Sequence, residues 1–356
     1  MMKAAAFSRA VTLRKSEVRQ VLLHTGQHYS HDMSGQFQQE LQLPDVDVQL
    51  RVDSDPAMRM GQMMKGVADA IATHQPDAVV VFGDTDSTLA AALASSRAHV
   101  PVVHIEAGLR SFDRRMPEEL NRILTDQLSD VLFCPSEDAK EQLRSEGISN
   151  GARPGLHVEA VGDLMLDTAR FHGGIPEKIQ SDRPQSVLLT MHRPSNVDDA
   201  LRLQDWLDGI GALAQKEGLS ILFPVHPRTK KTLLALWGDS WKDELQARKV
   251  VVYEPASYLQ MLKWLKEVDE VWTDSGGLQK EAFFMHRPAL VLRSSTEWTE
   301  LLDGGFAKLC PRPEELIQAR SALNQSRSAL DFQSPIYGGG DAGSAMVNSI
   351  IQWLNR

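Results

Sequence analysis

Ala78-Val79-Val80-Val81-Phe82-Gly83-Asp84-Thr85-Asp86-Ser87-Thr88 is the stretch that decides the fold. A short apolar run ends at a glycine, and polar residues follow at once. Such a run, continuous rather than alternating, fits a parallel strand covered on both faces. Ser87–Arg97 then reads as a helix. The same pattern recurs outward in both directions. Val21–Leu23, Val100–Val103 and Val131–Cys134 are further strands of the first half. Val187–Thr190, Ser220–Phe223, Val250–Val252, Val271–Thr273 and Ala289–Leu292 follow in the second. Helical patterns lie between them at Pro56–His74, Pro117–Leu128, Ser257–Lys266 and Gly276–His286. In Pro117–Leu128 the spacing puts Leu120, Ile123, Leu124 and Leu128 on one face, which is expected to be the buried one. Ser136 is expected to cap a helix that stops at Gly147. Strand–helix alternation of this kind predicts doubly wound α/β units.

The chain has 356 residues, enough for about two domains. The series breaks at Phe171-His172-Gly173-Gly174-Ile175-Pro176, read as a linker between a domain over 1–170 and a second over 171–340. Ligands of such folds sit beyond the carboxyl ends of the strands, and the expected site is the cleft between the domains. Apolar residues make up 42% and charged residues 24%, and the net charge is −9. An acidic chain is a poor match for a phosphate backbone, which argues against a nucleic acid partner. No run approaches the length of a membrane span, and the start is too short for a secretory signal. Cys134 and Cys310 supply neither a disulfide framework nor a zinc set. The chain therefore reads as a cytoplasmic, soluble enzyme. Met1–Ala10 already looks like a helix, where a doubly wound domain normally opens on a strand and a tight loop. An opening segment of on the order of 10–15 residues is expected to be missing, and the natural protein is expected to be longer.

The candidate chemistry lies at strand ends. Asp84 follows Gly83. Glu106 lies in His104-Ile105-Glu106-Ala107-Gly108-Leu109-Arg110. Glu118 and Glu119 open a helix that contains Asn121-Arg122. These acidic positions, on neighbouring loops, are expected at one cleft mouth. Glu119 is read as a cap favoured by the helix dipole, and Asp84 and Glu106 as functional. In the second half, His192 and His226 each end a strand beside an Arg and a Pro and are weighed as functional. His74, His99, His157, His172 and His286 are read as structural. His28 and His31 lack the other ligands of a metal site. Thr273-Asp274-Ser275-Gly276-Gly277 runs from a strand straight into a helix, whose first N–H groups suit a diphosphate. Glu281 stands one helical turn on, where a carboxylate could reach a ribose hydroxyl. Trp237, Trp241, Trp264 and Trp272 are read as core or interface.

Together these motifs resemble the non-hydrolysing UDP-N-acetylglucosamine 2-epimerases. The segments are Gly83-Asp84-Thr85-x-Ser87-Thr88, His104 to Arg110, Pro117-Glu118-Glu119-x-Asn121-Arg122, Leu189-Thr190-x-His192-Arg193 and Thr273-Asp274-Ser275-Gly276-Gly277-x-Gln279. The resemblance runs in order from about Lys3 to the C-terminus. It implies a GT-B architecture of two Rossmann-like domains, with a C-terminal helix in 341–356 crossing back to the first. It implies inversion at C2 of UDP-GlcNAc to give UDP-ManNAc, through loss of UDP, an enzyme-bound 2-acetamidoglucal and re-addition, for surface polysaccharide precursors. No cofactor and no metal is implied. By the resemblance Asp84, Glu106 and Glu118 are the catalytic carboxylates and His192 the active-site histidine. Lys3, His226, Ser275, Gly276, Gly277 and Glu281 are substrate contacts. The family commonly forms homodimers.

The departures are informative as well. The family's N-terminal Gly-x-Arg-Pro loop is absent. Thr296-Glu297-Trp298-Thr299-Glu300 replaces Thr-Glu-Arg-Pro-Glu and, with Gly26-Gln27-His28-Tyr29, looks more like the branch acting on UDP-2,3-diacetamido sugars such as the glucuronate. Gln27-His28-Tyr29-Ser30 keeps half of the allosteric motif of regulated members. A GT-B glycosyltransferase is the alternative from outside the family.

Overall fold

A computed structural model describes residues 1–27, 40–53, 55–176 and 185–356. The expectations for His28, Tyr29, Ser30 and His31 fall outside these. The chain divides into two units, Met1–Thr168 with Pro335–Arg356, and Ala169–Ser334.

The first unit carries β1 (Leu23–His24), β2 (Val48–Gln49), β3 (Val79–Phe82), β4 (Val102–Ile105), β5 (Val131–Cys134) and β6 (His157–Ala160). All pairs are parallel. β1 and β2 form a piece of their own, and β3-β4-β5-β6 form a four-stranded sheet in that order. β4 and β5 are buried along their whole length, as a continuous apolar run covered on both faces requires. Phe82 pairs with Ile105 in register, so Gly83 and Glu106 leave the sheet side by side. The helix Pro56–His74 starts where the Asp55 carboxylate accepts from the Met58 N–H. Ser136 does the same for Ala139 at the head of the helix Glu137–Ser145. The first helix, Met2–Leu13, packs Ala6, Phe7, Ala10 and Val11 with Met346 and Val347 of the helix Ala342–Leu354.

Two expectations fail here. The helix Pro117–Leu128 has the predicted bounds but buries the opposite face. Glu119, Asn121, Arg122, Thr125 and Asp126 are inside, while Leu120 and Leu124 are 38% and 48% exposed. The polar face can be buried because nearly every group on it is paired (below). The linker at 171–176 also begins too early. Phe171, His172 and Gly173 complete a helix, Leu164–Gly173. β2, β6 and a short strand at Ala307–Leu309 escape the sequence reading, because each is short or mixed in polarity.

The second unit carries β7 (Ser186–Thr190), β8 (Ser220–Pro224), β9 (Val250–Tyr253), β10 (Glu270–Thr273), β11 (Ala289–Val291) and β12 (Ala307–Leu309). Its one sheet is parallel, in the order β12-β11-β10-β7-β8-β9. From the β9 edge these are the third, second, first, fourth, fifth and sixth strands of the unit. That is the doubly wound order, and it reverses between β7 and β10. Trp206, Trp272, Phe223 and Leu290 fill the core, and Trp241 and Trp264 are buried as expected. Among the described residues no helix is long and apolar enough to cross a membrane.

Candidate active site

The reversal between β7 and β10 is where a ligand crevice opens in this topology. The loops leaving both strands carry predicted site residues. Asp274, directly after β10, is fully buried and holds the two loops together. Its carboxylate accepts from the backbone N–H of His192 at 3.0 Å and of Arg193 at 2.9 Å, and from Asn196 Nδ2 at 3.1 Å. His192 Nδ1 lies 3.3 Å from Asp274 Oδ1. The His192 and His226 rings lie against each other, centroids 5.3 Å apart. His226 Nδ1 accepts from the Arg228 N–H, so that ring also caps its helix. Burial lowers the pKa of His192, and neighbouring His226, Arg193 and Arg228 add to this against the pull of Asp274. Burial and Arg228 lower His226 as well.

Ser275 precedes the helix Gly276–Phe284 and makes no side-chain cap. The Ser275 N–H is bound to Thr273 Oγ1 at 2.9 Å. A side chain on Gly277 would meet open space, whereas one on Gly276 would lie 2.8 Å from Glu297 Oε1. Glu297 is paired with Arg293 at 3.1 Å. The Trp298 indole donates to the Gly276 carbonyl at 3.0 Å, and Lys280 Nζ sits 3.9 Å over its ring. Thr296 donates to Gln279 Oε1 at 2.6 Å. The Thr296-Glu297-Trp298 segment thus buttresses the glycine loop. Glu281 lies in the same helix and is 6% exposed.

In the first unit the site residues gather around Gly83. Its φ is +66°, which a glycine adopts without strain. A Cβ there would sit 3.3 Å from Glu106 Oε2 and 3.4 Å from Lys3 Nζ. Glu106 has a φ of +72°, unusual for a side-chain-bearing residue and typical of functional loops. Lys3 is ion-paired with Glu106. Asp84 meets Arg122 at 2.5 Å, and the other arm of that guanidinium reaches Glu119 at 2.7 Å. Asn121 Nδ2 donates to the Asp84 carbonyl at 3.0 Å.

Glu119 is buried rather than merely capping. Burial alone would raise its pKa, but donors from Ser111 and Phe112 and the Arg122 guanidinium outweigh this and hold it below the usual carboxylate range. Glu118, one residue earlier in the same helix start, is exposed. The structure therefore brings Glu106 and Lys3 together at Gly83, with Asp84 next in the chain and tied to the Glu118–Glu119 helix through Arg122. Asp274 and Arg122 are the residues whose structural part the sequence reading missed. The one signal for Asp274 was its place between a strand and the Ser-Gly-Gly turn.

Comparison with known proteins follows the same lines. The family described as UDP-N-acetylglucosamine 2-epimerase matches residues 11–351. A UDP-2,3-diacetamido-2,3-dideoxy-D-glucuronate 2-epimerase of Pseudomonas aeruginosa is 39% identical, covering 98% of this chain and 96% of that protein. A UDP-N-acetylglucosamine 2-epimerase of Methanocaldococcus jannaschii is 37% identical, covering 94% and 92%. The crystal structure of a UDP-GlcNAc 2-epimerase from that organism, in complex with UDP-GlcNAc and UDP, superimposes with a TM-score of 0.83 at 35% identity, covering 99% of this chain and 96% of that one.

Proposed function

The chain belongs to the UDP-N-acetylglucosamine 2-epimerase family, and from that premise we propose that it inverts C2 of UDP-GlcNAc to give UDP-ManNAc. The observation that carries the proposal is the pairing, at the β7/β10 reversal, of the Ser275-Gly276-Gly277 helix start with the His192 loop, both held by Asp274. Helix-start N–H groups beside histidines suit a diphosphate that must be held and released.

In the forward direction a base takes the C2 proton and the C1–C2 double bond forms. The C1–O bond breaks, and its electron pair leaves on the β-phosphate of UDP. Re-addition of UDP returns a proton to the opposite face of C2. Asp84 and Glu106 are the acid/base pair of this scheme, since carboxylates held by cations can give and take protons at one carbon. Glu118, exposed at its helix start, supplies the third carboxylate. Lys3 balances Glu106. His192 and His226 contact the nucleotide phosphates, and Glu281 a ribose hydroxyl. The scheme moves protons and breaks and remakes one C–O bond, and it transfers no hydride, so it calls for no redox cofactor. The protein works in the cytoplasm as a homodimer.

The test is incubation with UDP-GlcNAc in D2O and NMR at sugar C2. Deuterium at C2 with UDP-ManNAc is expected, and an absence of exchange would overturn the assignment. A second substrate, UDP-2,3-diacetamido-2,3-dideoxy-glucuronate, is favoured by one observation. The Trp298 indole holds the Gly276 carbonyl, and Thr296-Glu297-Trp298 is the sequence in which this chain departs from the usual UDP-GlcNAc enzymes. A higher kcat/KM for the diacetamido sugar would select it.

A further inference from the structure

His104 stands on β4, two residues before Glu106, and is 0% exposed. Its Nε2 is 2.8 Å from the Gly83 carbonyl oxygen and its Nδ1 is 2.7 Å from Asp126 Oδ1. A carbonyl oxygen can only accept, so Nε2 carries a hydrogen. Asp126, also 0% exposed, accepts at its other oxygen from Arg110 at 2.7 Å and from the Gly108 N–H at 3.3 Å. That pattern marks a carboxylate, so Nδ1 carries a hydrogen too. The imidazole is a double donor, and a buried double donor needs an anion beside it. Arg110 continues the chain to Glu146, with bonds of 2.8 and 2.7 Å, so the charges of the four groups balance.

The geometry explains why the group exists. Gly83 donates its N–H to the Ile105 carbonyl at 2.9 Å, the last rung between β3 and β4. The chain then turns away, and both Glu106 and Ala107 donate to Phe133 instead, at 3.1 and 3.0 Å. A parallel ladder would next have served the Gly83 carbonyl from the Ala107 N–H, and among the described residues that N–H goes to Phe133 instead. His104 supplies a donor in its place. Asp126 meanwhile fixes positions 104, 108 and 110, on both sides of Glu106. At Gly108, with a φ of +84°, an added Cβ would lie 2.2 Å from the Ala139 carbonyl oxygen, so this loop has one way to sit.

We propose that the doubly protonated His104, held by Asp126, is the positioning residue that sets Asp84 and Glu106 against one carbon, acting through the Gly83 carbonyl. The role rests on the epimerase reading above. His104 touches no substrate.

Two substitutions separate the two ring nitrogens. The amide nitrogen of Gln reaches where Nε2 stands, and that of Asn reaches where Nδ1 stands. His104→Gln keeps the Gly83 contact and is expected to hold kcat for C2 exchange within about 5-fold. His104→Asn keeps only the Asp126 contact and is expected to lower kcat about 100-fold, with KM nearly unchanged, the scale of a misplacement of about 1 Å. Equal activity in the two variants, high or low, would overturn the proposal. A second measurement needs no variant to fold. Proton–nitrogen NMR of the unsubstituted protein is expected to show two hydrogen-bonded ring N–H protons for one buried histidine, and a single such proton would overturn the proposal. Failure of the unsubstituted chain to exchange C2 would count against the epimerase reading instead, while the ring-proton count still decides the protonation of His104.

Discussion

His192 and His226 are held neutral at pH 7 chiefly because partial desolvation penalises their charged forms, with nearby cations adding to it. In the unfolded chain both would titrate near about 6.5. Between that value and their lowered folded values the unfolded chain binds more protons, so stability rises with pH there. Their contribution is complete above about pH 6.5 and is lost as pH falls through the folded values. The thermal midpoint should therefore fall as pH drops below about 6.5. Replacing both rings by Gln should flatten that fall, and a midpoint drop unchanged by the replacement would refute the cause. Arg122 argues at the same scale. It is 5% exposed and holds both Asp84 and the buried Glu119. Arg122→Met leaves Glu119 without its cation and should cost about 3 kcal/mol in urea unfolding, the low end for a broken buried pair. The low end applies because the N–H donors of Ser111 and Phe112 remain.

Elements show what a sequence exposes and what it conceals. The strands Val131–Cys134 and Val79–Phe82, and the helix Pro56–His74, were legible because apolar runs and a capping carboxylate are local signals. The inside face of Pro117–Leu128 was not. Its periodicity points Leu120 and Leu124 inward, yet the structure buries Arg122 and Asp126, whose partners Asp84, His104 and Arg110 come from 12 or more residues away. Pairing over such separations leaves no periodic trace. The Ser275–Gly277 turn was legible for the opposite reason, since a glycine pair between strand and helix is itself the signal. It also makes a sharp prediction. A side chain at Gly277 meets open space within the protein, so Gly277→Ala should change stability by no more than about 0.5 kcal/mol. If the diphosphate rests there, the same methyl group should weaken UDP about 10-fold or more by calorimetry, an effect of about 1.4 kcal/mol. Unchanged UDP affinity would place the phosphates elsewhere.

The two units differ in how their sheets are completed, and that difference belongs to the whole molecule. Among the described residues β7 lies inside a six-stranded sheet with partners on both sides, while β3 ends a four-stranded sheet. Edge strands open more readily than central ones. Hydrogen exchange should therefore be slower across Val187–Thr190 than across Val79–Phe82, and the reverse order would show that the first sheet is completed in solution by something further. Several large apolar side chains of the first unit are exposed. Leu120, Leu124, Met58 and Phe112 are 38%, 48%, 58% and 75% exposed. Leu120 and Leu124 are one turn apart on one helix, so they form a stripe rather than scattered points. A stripe on a helix whose inner face is already fixed by ion pairs has no further use within its own unit, and a two-fold dimer would cover it with its own copy. Leu124→Glu is expected to shift the sedimenting species from dimer to monomer while the circular dichroism spectrum stays the same, because the ion-paired inner face of the helix is left untouched. A chain that sediments as a monomer before substitution, or a Leu124→Glu variant that still dimerises, would show that this stripe is not the interface.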